Sequence, residues 1–275
     1  MTSLGPFPIW AVVLVAALIP AWLAARLSAR GRPDVQPRVV SGTLFDALLL
    51  GLLAARAGYV LRWWSEYAEA PMAILAIGDR GFAMWSGLLV ALGWMLWKTR
   101  LRPAARRPVL LGAGVGLLAW GAMTGALALI QPGATPMPTI PVVTLDGKAT
   151  RLDTERSGPT VLNLWATWCP PCIREMPALA DAQARYPEVT FLFVNQGEDA
   201  GSIRRFLDRR DLALDHVLLD PGSGAMRALG ARALPTTFFI DADGQLVDQH
   251  MGELTRARLA DILHRRLDAR PRPSS

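Results

Sequence analysis

The amino-acid sequence predicts an α-helical membrane domain of four transmembrane helices followed by an α/β domain, on three observations. Hydrophobic residues make up 52% of the 275 and the mean hydropathy is +0.26, too apolar for an ordinary soluble chain of this length. The long apolar stretches all fall before residue 131. Beyond it, short β-rich runs alternate with helix-like segments, as βαβ units require.

A hydrocarbon core about 30 Å thick is crossed by roughly 20 residues of helix. Residues 7–27, 43–61, 82–97 and 109–130 are apolar over that length or close to it. The first stretch has no Lys or Arg ahead of it and no small-residue cleavage site behind it, so it reads as a retained span and not as a removable signal peptide. Arg26, Arg30, Arg32 and Arg38 lie between the first two stretches, and Lys98, Arg100, Arg102, Arg106 and Arg107 between the last two. The middle loop is mixed, with Arg62, Glu66, Glu69, Asp79 and Arg80. Basic loops stay on the cytoplasmic side. Both termini and the mixed loop are therefore expected outside the cytoplasm, in a multi-pass membrane protein whose residues beyond 130 lie on the outer side. Trp63, Trp64, Trp85, Trp94 and Trp97 cluster near span ends, where amphipathic rings favour the headgroup zone. Arg56 and Asp46, within or at the edge of the second span, are costly in lipid and are expected to face protein or water.

The net charge of +6 divides unevenly. Residues 1–130 hold 12 Lys and Arg against 5 Asp and Glu, and residues 131–275 hold 17 against 18. The excess basicity belongs to the membrane half, where loop orientation explains it, so the expected partner is the lipid bilayer and no nucleic acid.

Gln131-Pro-Gly-Ala-Thr-Pro-Met-Pro138 cannot continue a helix and reads as a semi-stiff tether. It divides the chain into a transmembrane domain at 1–130, a linker at 131–138 and a second domain at 139–275. Strands are expected there at 160–165, 190–195, 216–219, 236–241 and 246–250, with helices near 170–184, 201–210, 224–229 and 255–267. Asp241-Ala-Asp-Gly244 is a turn sequence that joins the last two strands as a hairpin.

The chain holds only two cysteines, both in Cys169-Pro-Pro-Cys172. A structural bridge usually joins distant segments, so a sole pair this close reads as redox-active. A strand running into C-x-x-C at a helix start is a redox arrangement, whereas the bare motif is common. At the helix N-cap the Cys169 sulfur faces the positive end of the dipole, which favours thiolate and makes it the nucleophile. Cys172, one turn further in, is the resolving thiol. Pro170 and Pro171 have no N–H, which leaves only that of Cys172 among the usual capping donors. A moderately lowered Cys169 pKa and a reducing or near-neutral poise follow, rather than a strong oxidant. Structural zinc needs four ligands, and His216, His250 and His264 lack ligand spacing, so no metal is expected.

Trp165-Ala-Thr-Trp-Cys-Pro-Pro-Cys172, followed by Glu175 and Pro177, resembles the TlpA/ResA-type thiol-disulfide oxidoreductases of the thioredoxin superfamily over about residues 139–267. The resemblance implies a thioredoxin-like fold, a working Cys169–Cys172 disulfide with no other cofactor, and a proton-transfer role for Glu175. Asn163 stands where thioredoxin itself has a buried aspartate, which shifts the acid–base burden to Glu175. Ala233-Leu-Pro-Thr-Thr-Phe-Phe-Ile240 matches the family's cis-proline at Pro235, with the backbone of Leu234 presented to a substrate cysteine. Trp168, Pro170 and Pro171 flank the nucleophile and complete the expected substrate-binding set, and residues 189–219 resemble the family's central insertion. The expected partners are exported cysteine-containing proteins, apocytochrome c thiols among them. Because the membrane half has no cysteine, electrons are expected from a separate membrane or periplasmic donor.

Ala54-Ala-Arg-Ala-Gly-Tyr-Val-Leu61 and Gly81-Phe-Ala-Met-Trp-Ser-Gly-Leu-Leu89 resemble segments of bacterial prolipoprotein diacylglyceryl transferase over roughly residues 42–97. Trp85 stands at the histidine position of that family's motif and Ser86 at a glycine position, and the later Gly-Arg-x-Gly-Asn-Phe signature has no counterpart. The resemblance implies a degenerate, truncated relative without acyl transfer. A lipid-binding or lipid-modifying membrane protein with an accessory thioredoxin module is the alternative reading.

Overall fold

The computed structural model describes residues 3–4, 7–30, 32–130 and 135–269. A two-residue antiparallel pair, β1 (Ser3–Leu4) and β2 (Phe7–Pro8), opens the chain. Five helices follow: α1 (Ile9–Ala29), α2 (Pro37–Arg62), α3 (Trp64–Glu69), α4 (Met84–Arg100) and α5 (Pro103–Ile130). The chain forms two compact units, Met1–Trp64 with Gly81–Pro132, and Ser65–Arg80 with Gly133–Ser275. The second unit is thus discontinuous, and it includes the α2–α4 loop that the sequence assigned to the helical domain.

In the first unit α1 packs along α5 and α2 along α4. Small residues permit the close approach. A Cβ on Gly87 would stand 2.7 Å from the Gly51 carbonyl oxygen, and Cβ atoms on Gly112 and Gly116 would stand 2.7 and 2.8 Å from those of Ala25 and Ala21. Such four-residue spacing of small side chains lets helices meet where lipid offers no hydrophobic drive for association. Large apolar side chains such as Ile19, Leu53, Leu89 and Leu118 are exposed instead.

Four helices form where four spans are expected, and α1, α2 and α5 are long and apolar enough to cross a membrane. The fourth, α4, has 17 residues and reaches about 25 Å at 1.5 Å per residue, short of the full hydrocarbon thickness. Its start is pinned to α2, because Ala83 N–H donates to the Ala55 carbonyl at 2.8 Å and Ser86 Oγ donates to that of Ala54 at 3.0 Å. Arg56 Nη1 donates to the Gly81 carbonyl at 3.0 Å, with the guanidinium 6.0 Å from the Phe82 ring centroid, so this charge faces protein.

The second unit is built on eight strands in the order β3-β10-β9-β6-β7-β8-β4-β5. They are β3 (Thr135–Pro136), β4 (Pro141–Thr144), β5 (Ala149–Arg151), β6 (Thr160–Trp165), β7 (Thr190–Gln196), β8 (Val217–Asp220), β9 (Thr236–Ile240) and β10 (Gln245–Met251). The helices are α6 (Pro170–Arg185), α7 (Ala200–Arg210), α8 (Gly224–Ala228) and α9 (Arg256–Arg266). Strands β6, β7 and β8 run parallel through α6 and α7, as βαβ units do, and β9 and β10 return antiparallel. All five expected strands and all four expected helices of this unit form, each within one residue of its expected bounds.

Central β6 is buried at all six residues, the consequence of cover on both faces. Val161 and Trp165 point into a cluster with Met176 of α6 and Leu263 of α9. Leu162 and Leu164 point the other way, to Leu192, Val194, Phe238 and Ile240. Alternation therefore places Asn163 on the α6 side.

Residues 131–134 of the expected tether lie outside the described residues. Thr135 and Pro136 differ from the expectation by pairing with Leu246 and Gln245 of β10. Proline is tolerated there because the strand is an edge.

Candidate active site

The last residue of β6 is Trp165, and α6 begins five residues later at Pro170. Cys169 is its N-cap, with proline at the first helical positions, where the missing N–H is one the helix leaves unbonded anyway. Cys169 and Cys172 are joined in a disulfide with Cα atoms 5.3 Å apart. Cys172 N–H donates to Cys169 Sγ at 3.3 Å, the capping donor that the two prolines leave. Cys172 is fully buried and Cys169 is 3% exposed, so in the oxidised form the two differ less than a nucleophile and a shielded partner would. Trp168, 67% exposed, and Pro170 form the outer surface, and Pro171 is half-buried.

Glu175 lies one turn beyond Cys172 and is 1% exposed. Asn163 Nδ2 donates to its Oε1 at 2.8 Å and to Thr237 Oγ1 at 3.0 Å. Leu254 N–H donates to Oε2 at 2.9 Å. Burial pushes the Glu175 pKa up from 4.5 to about 8, against the pull of these two donors, which favour the carboxylate. Asn163, expected at the position of thioredoxin's buried aspartate, is thus in direct contact with the glutamate expected to transfer protons.

The Leu234–Pro235 peptide bond is cis and immediately precedes β9. Leu234, half-buried, packs against the cluster that holds both cysteines. The turn from β10 to α9 ties these parts together. Gly252, at φ +98, donates its N–H to the Pro235 carbonyl at 2.9 Å, two residues before Leu254 reaches Glu175.

Sequence reasoning did not find Glu198. Its Oε2 accepts from Thr167 N–H at 2.7 Å and from Asn195 Nδ2 at 2.8 Å, while Thr167 Oγ1 donates to Oε1. One carboxylate therefore pins the loop that carries Trp168 and Cys169. Its position just past the carboxyl end of a parallel strand, where α/β sheets place their sites, was the available signal. His250, 2% exposed, was also missed as part of the site; burial lowers its pKa from 6.5 to about 4.

These two groups give the unit a pH signature. The folded state keeps a proton on Glu175 that the unfolded chain releases, so stability falls as pH rises from 4.5 through about 8. The unfolded chain takes up a proton that buried His250 refuses, so stability falls as pH drops from 6.5 through about 4. The slopes oppose one another between about pH 4.5 and 6.5, and only that of Glu175 remains above. Urea denaturation of the redox unit from about pH 5 to 9 is expected to show near-level stability up to about 6.5 and then a decline. A rise between about pH 6.5 and 8 would contradict the assignment.

A C-x-x-C disulfide at a strand-to-helix junction, on a mixed sheet with a cis-proline strand, defines a dithiol centre of the thioredoxin superfamily. Residues 132–263 match the redoxin family model, and residues 1–129 match that of prolipoprotein diacylglyceryl transferase. The thiol-disulfide oxidoreductase ResA of Halalkalibacterium halodurans is 34% identical over 121 residues, covering 43% of this chain and 68% of that protein. ResA of Bacillus thuringiensis is 32% identical over 128 residues, covering 46% and 73%. The solved thiol:disulfide interchange protein of Chlorobium tepidum superposes with a TM-score of 0.42 at 26% identity, over 48% of this chain and 96% of that one. The chain belongs to the ResA family of thiol-disulfide oxidoreductases.

Proposed function

We propose that this thiol-disulfide oxidoreductase works from the outer face of the bacterial inner membrane, as a reductant of exported cysteine-containing proteins such as apocytochromes c. Cys169 thiolate attacks the substrate disulfide, forming a mixed disulfide and releasing one substrate thiolate. Cys172 gives its proton to Glu175 and attacks Cys169 Sγ, so the second substrate sulfur leaves and two electrons have passed to the substrate. Leu234 and Pro235, with Trp168, Pro170 and Pro171, hold the substrate chain. A separate membrane or periplasmic protein then reduces the Cys169–Cys172 disulfide, which is the only redox group needed.

One observation carries the reducing direction: Cys172 N–H is the sole backbone donor to Cys169 Sγ that the helix start provides, so the thiolate is stabilised only moderately and reduced protein stays willing to give up electrons. Support for the location comes from the two Arg-rich loops between helices. The match of residues 1–129 to an acyltransferase family favours a second reading, in which the helical unit also binds lipid.

Both the location and the partners are tested with Cys172→Ser in intact cells. A membrane-impermeant maleimide is expected to label Cys169 without lysis, and non-reducing gels are expected to show it trapped on exported proteins. Labelling only after lysis would overturn the location, and adducts confined to cytosolic proteins would overturn the substrate class.

A further inference from the structure

We infer that His250 is a positioning residue for Glu175, acting through the single peptide group that joins Glu253 to Leu254. The inference rests on the proposed proton-transfer role of Glu175. Both ends of that peptide are engaged. Its carbonyl oxygen accepts from His250 Nε2 at 3.2 Å, and its N–H donates to Glu175 Oε2 at 2.9 Å. A peptide bonded at both ends is polarised along the chain of hydrogen bonds, which strengthens its donation to the carboxylate. It also cannot rotate away when the carboxyl changes charge.

A carbonyl oxygen only accepts, so His250 carries its proton on Nε2. Its Nδ1 is buried with no partner among the described residues. An orphaned buried nitrogen is unfavourable, and among the described residues the ring's one polar tie goes to the peptide that serves Glu175. The same turn holds the Pro235 carbonyl through Gly252 N–H at 2.9 Å, so the imidazole fixes a strip of backbone that touches both the buried carboxyl and the cis-proline. The charged groups around His250 are Arg80, Asp248 and Arg258. Beside Glu175 stands Glu253, itself paired with Arg174 at 2.7 Å.

The test is a titration of the Glu175 carboxyl by isotope-edited spectroscopy on the full-length protein, with Glu175→Gln supplying the assignment. Exchange rates against pH are measured on the same samples. In His250→Phe the midpoint is expected to move up by about 0.5–1 pH unit, which leaves roughly three- to tenfold less carboxylate at a given pH, because the anion has lost part of its donor. His250→Gln places an amide nitrogen where Nε2 was and is expected to restore the parent midpoint. If the phenylalanine variant does not fold, His250→Asn, whose amide stops short of the Glu253 carbonyl, replaces it with the same expectation. An unmoved midpoint in the folded variant, or an equal shift in His250→Gln, overturns the proposal. Because the titration reads the carboxyl and not turnover, loss of exchange in the parent overturns the proposed function, while a shifted midpoint in His250→Phe still supports the role of His250.

Discussion

Cys169→Ser is expected to reduce protein-disulfide exchange by on the order of a thousandfold or more, since a serine hydroxyl neither ionises near neutral pH nor forms the mixed disulfide. The fold is expected to survive. Serine is a strong N-cap, and Cys172 N–H, which now donates to the sulfur at 3.3 Å, can donate to its oxygen. Loss of activity with an unchanged melting curve therefore isolates the chemistry from the architecture. Reduction of a model protein disulfide by the full-length protein, recharged by a dithiol, is the measurement. More than about a tenth of parental activity would be incompatible with Cys169 as the attacking group.

Glu175→Gln is expected to give the second largest effect, a slowing of the closing step by about ten- to a hundredfold near neutral pH. With its pKa at about 8, Glu175 has some carboxylate at neutral pH and gains more as pH rises, so the parent rate should climb toward that value and flatten beyond it. The glutamine variant cannot take the Cys172 proton, and its rate should climb only where the thiol ionises by itself. The variant also removes the alkaline loss of stability, because the proton that the folded state keeps is gone. Glutamine retains an acceptor for one of the two donors, Asn163 Nδ2 or Leu254 N–H, so a folded protein is expected. Stopped-flow release of a substrate thiol from the mixed disulfide, measured across pH, reads the step directly; a profile identical to the parent's would remove Glu175 from the mechanism.

What was legible in the sequence was local. The N-cap position of Cys169, the prolines behind it and the hairpin at Asp241–Gly244 each depend on a few adjacent residues whose backbone preferences point one way, whereas the cis bond before Pro235 was legible only through the family resemblance, since an isolated X–Pro bond prefers trans. The partners of those residues were less legible, because they come from strand order. Thr167 meets Glu198 and Glu175 meets Leu254 across 31 and 79 residues of chain, and no periodicity encodes such pairings. In the helical unit, the hydropathy that marked four spans could not show that α4 is held short at its start by bonds to α2. Nor did it show that Gly112 and Gly116 face Ala21 and Ala25, since a spacing of small residues becomes a contact only once a partner helix is known. The mixed charges of residues 65–80 read as a loop of the membrane domain because their partners, among them Arg185 at 2.7 Å from Glu66, lie more than a hundred residues on.

That loop sets a limit on how the domain can be dissected. Tyr67, 1% exposed, donates its hydroxyl to Asp79 at 2.9 Å, and Thr255, the N-cap of α9, donates to the same carboxylate at 3.2 Å. Glu69 reaches Arg256 at 3.5 Å. An expression clone begun at the proline-rich stretch would amputate a tile of the domain's own wall and leave Arg185 and Arg256 facing solvent at the seam. Grafting residues 65–80 back, or supplying them as a synthetic peptide, is the route to a soluble fragment that keeps its native surface.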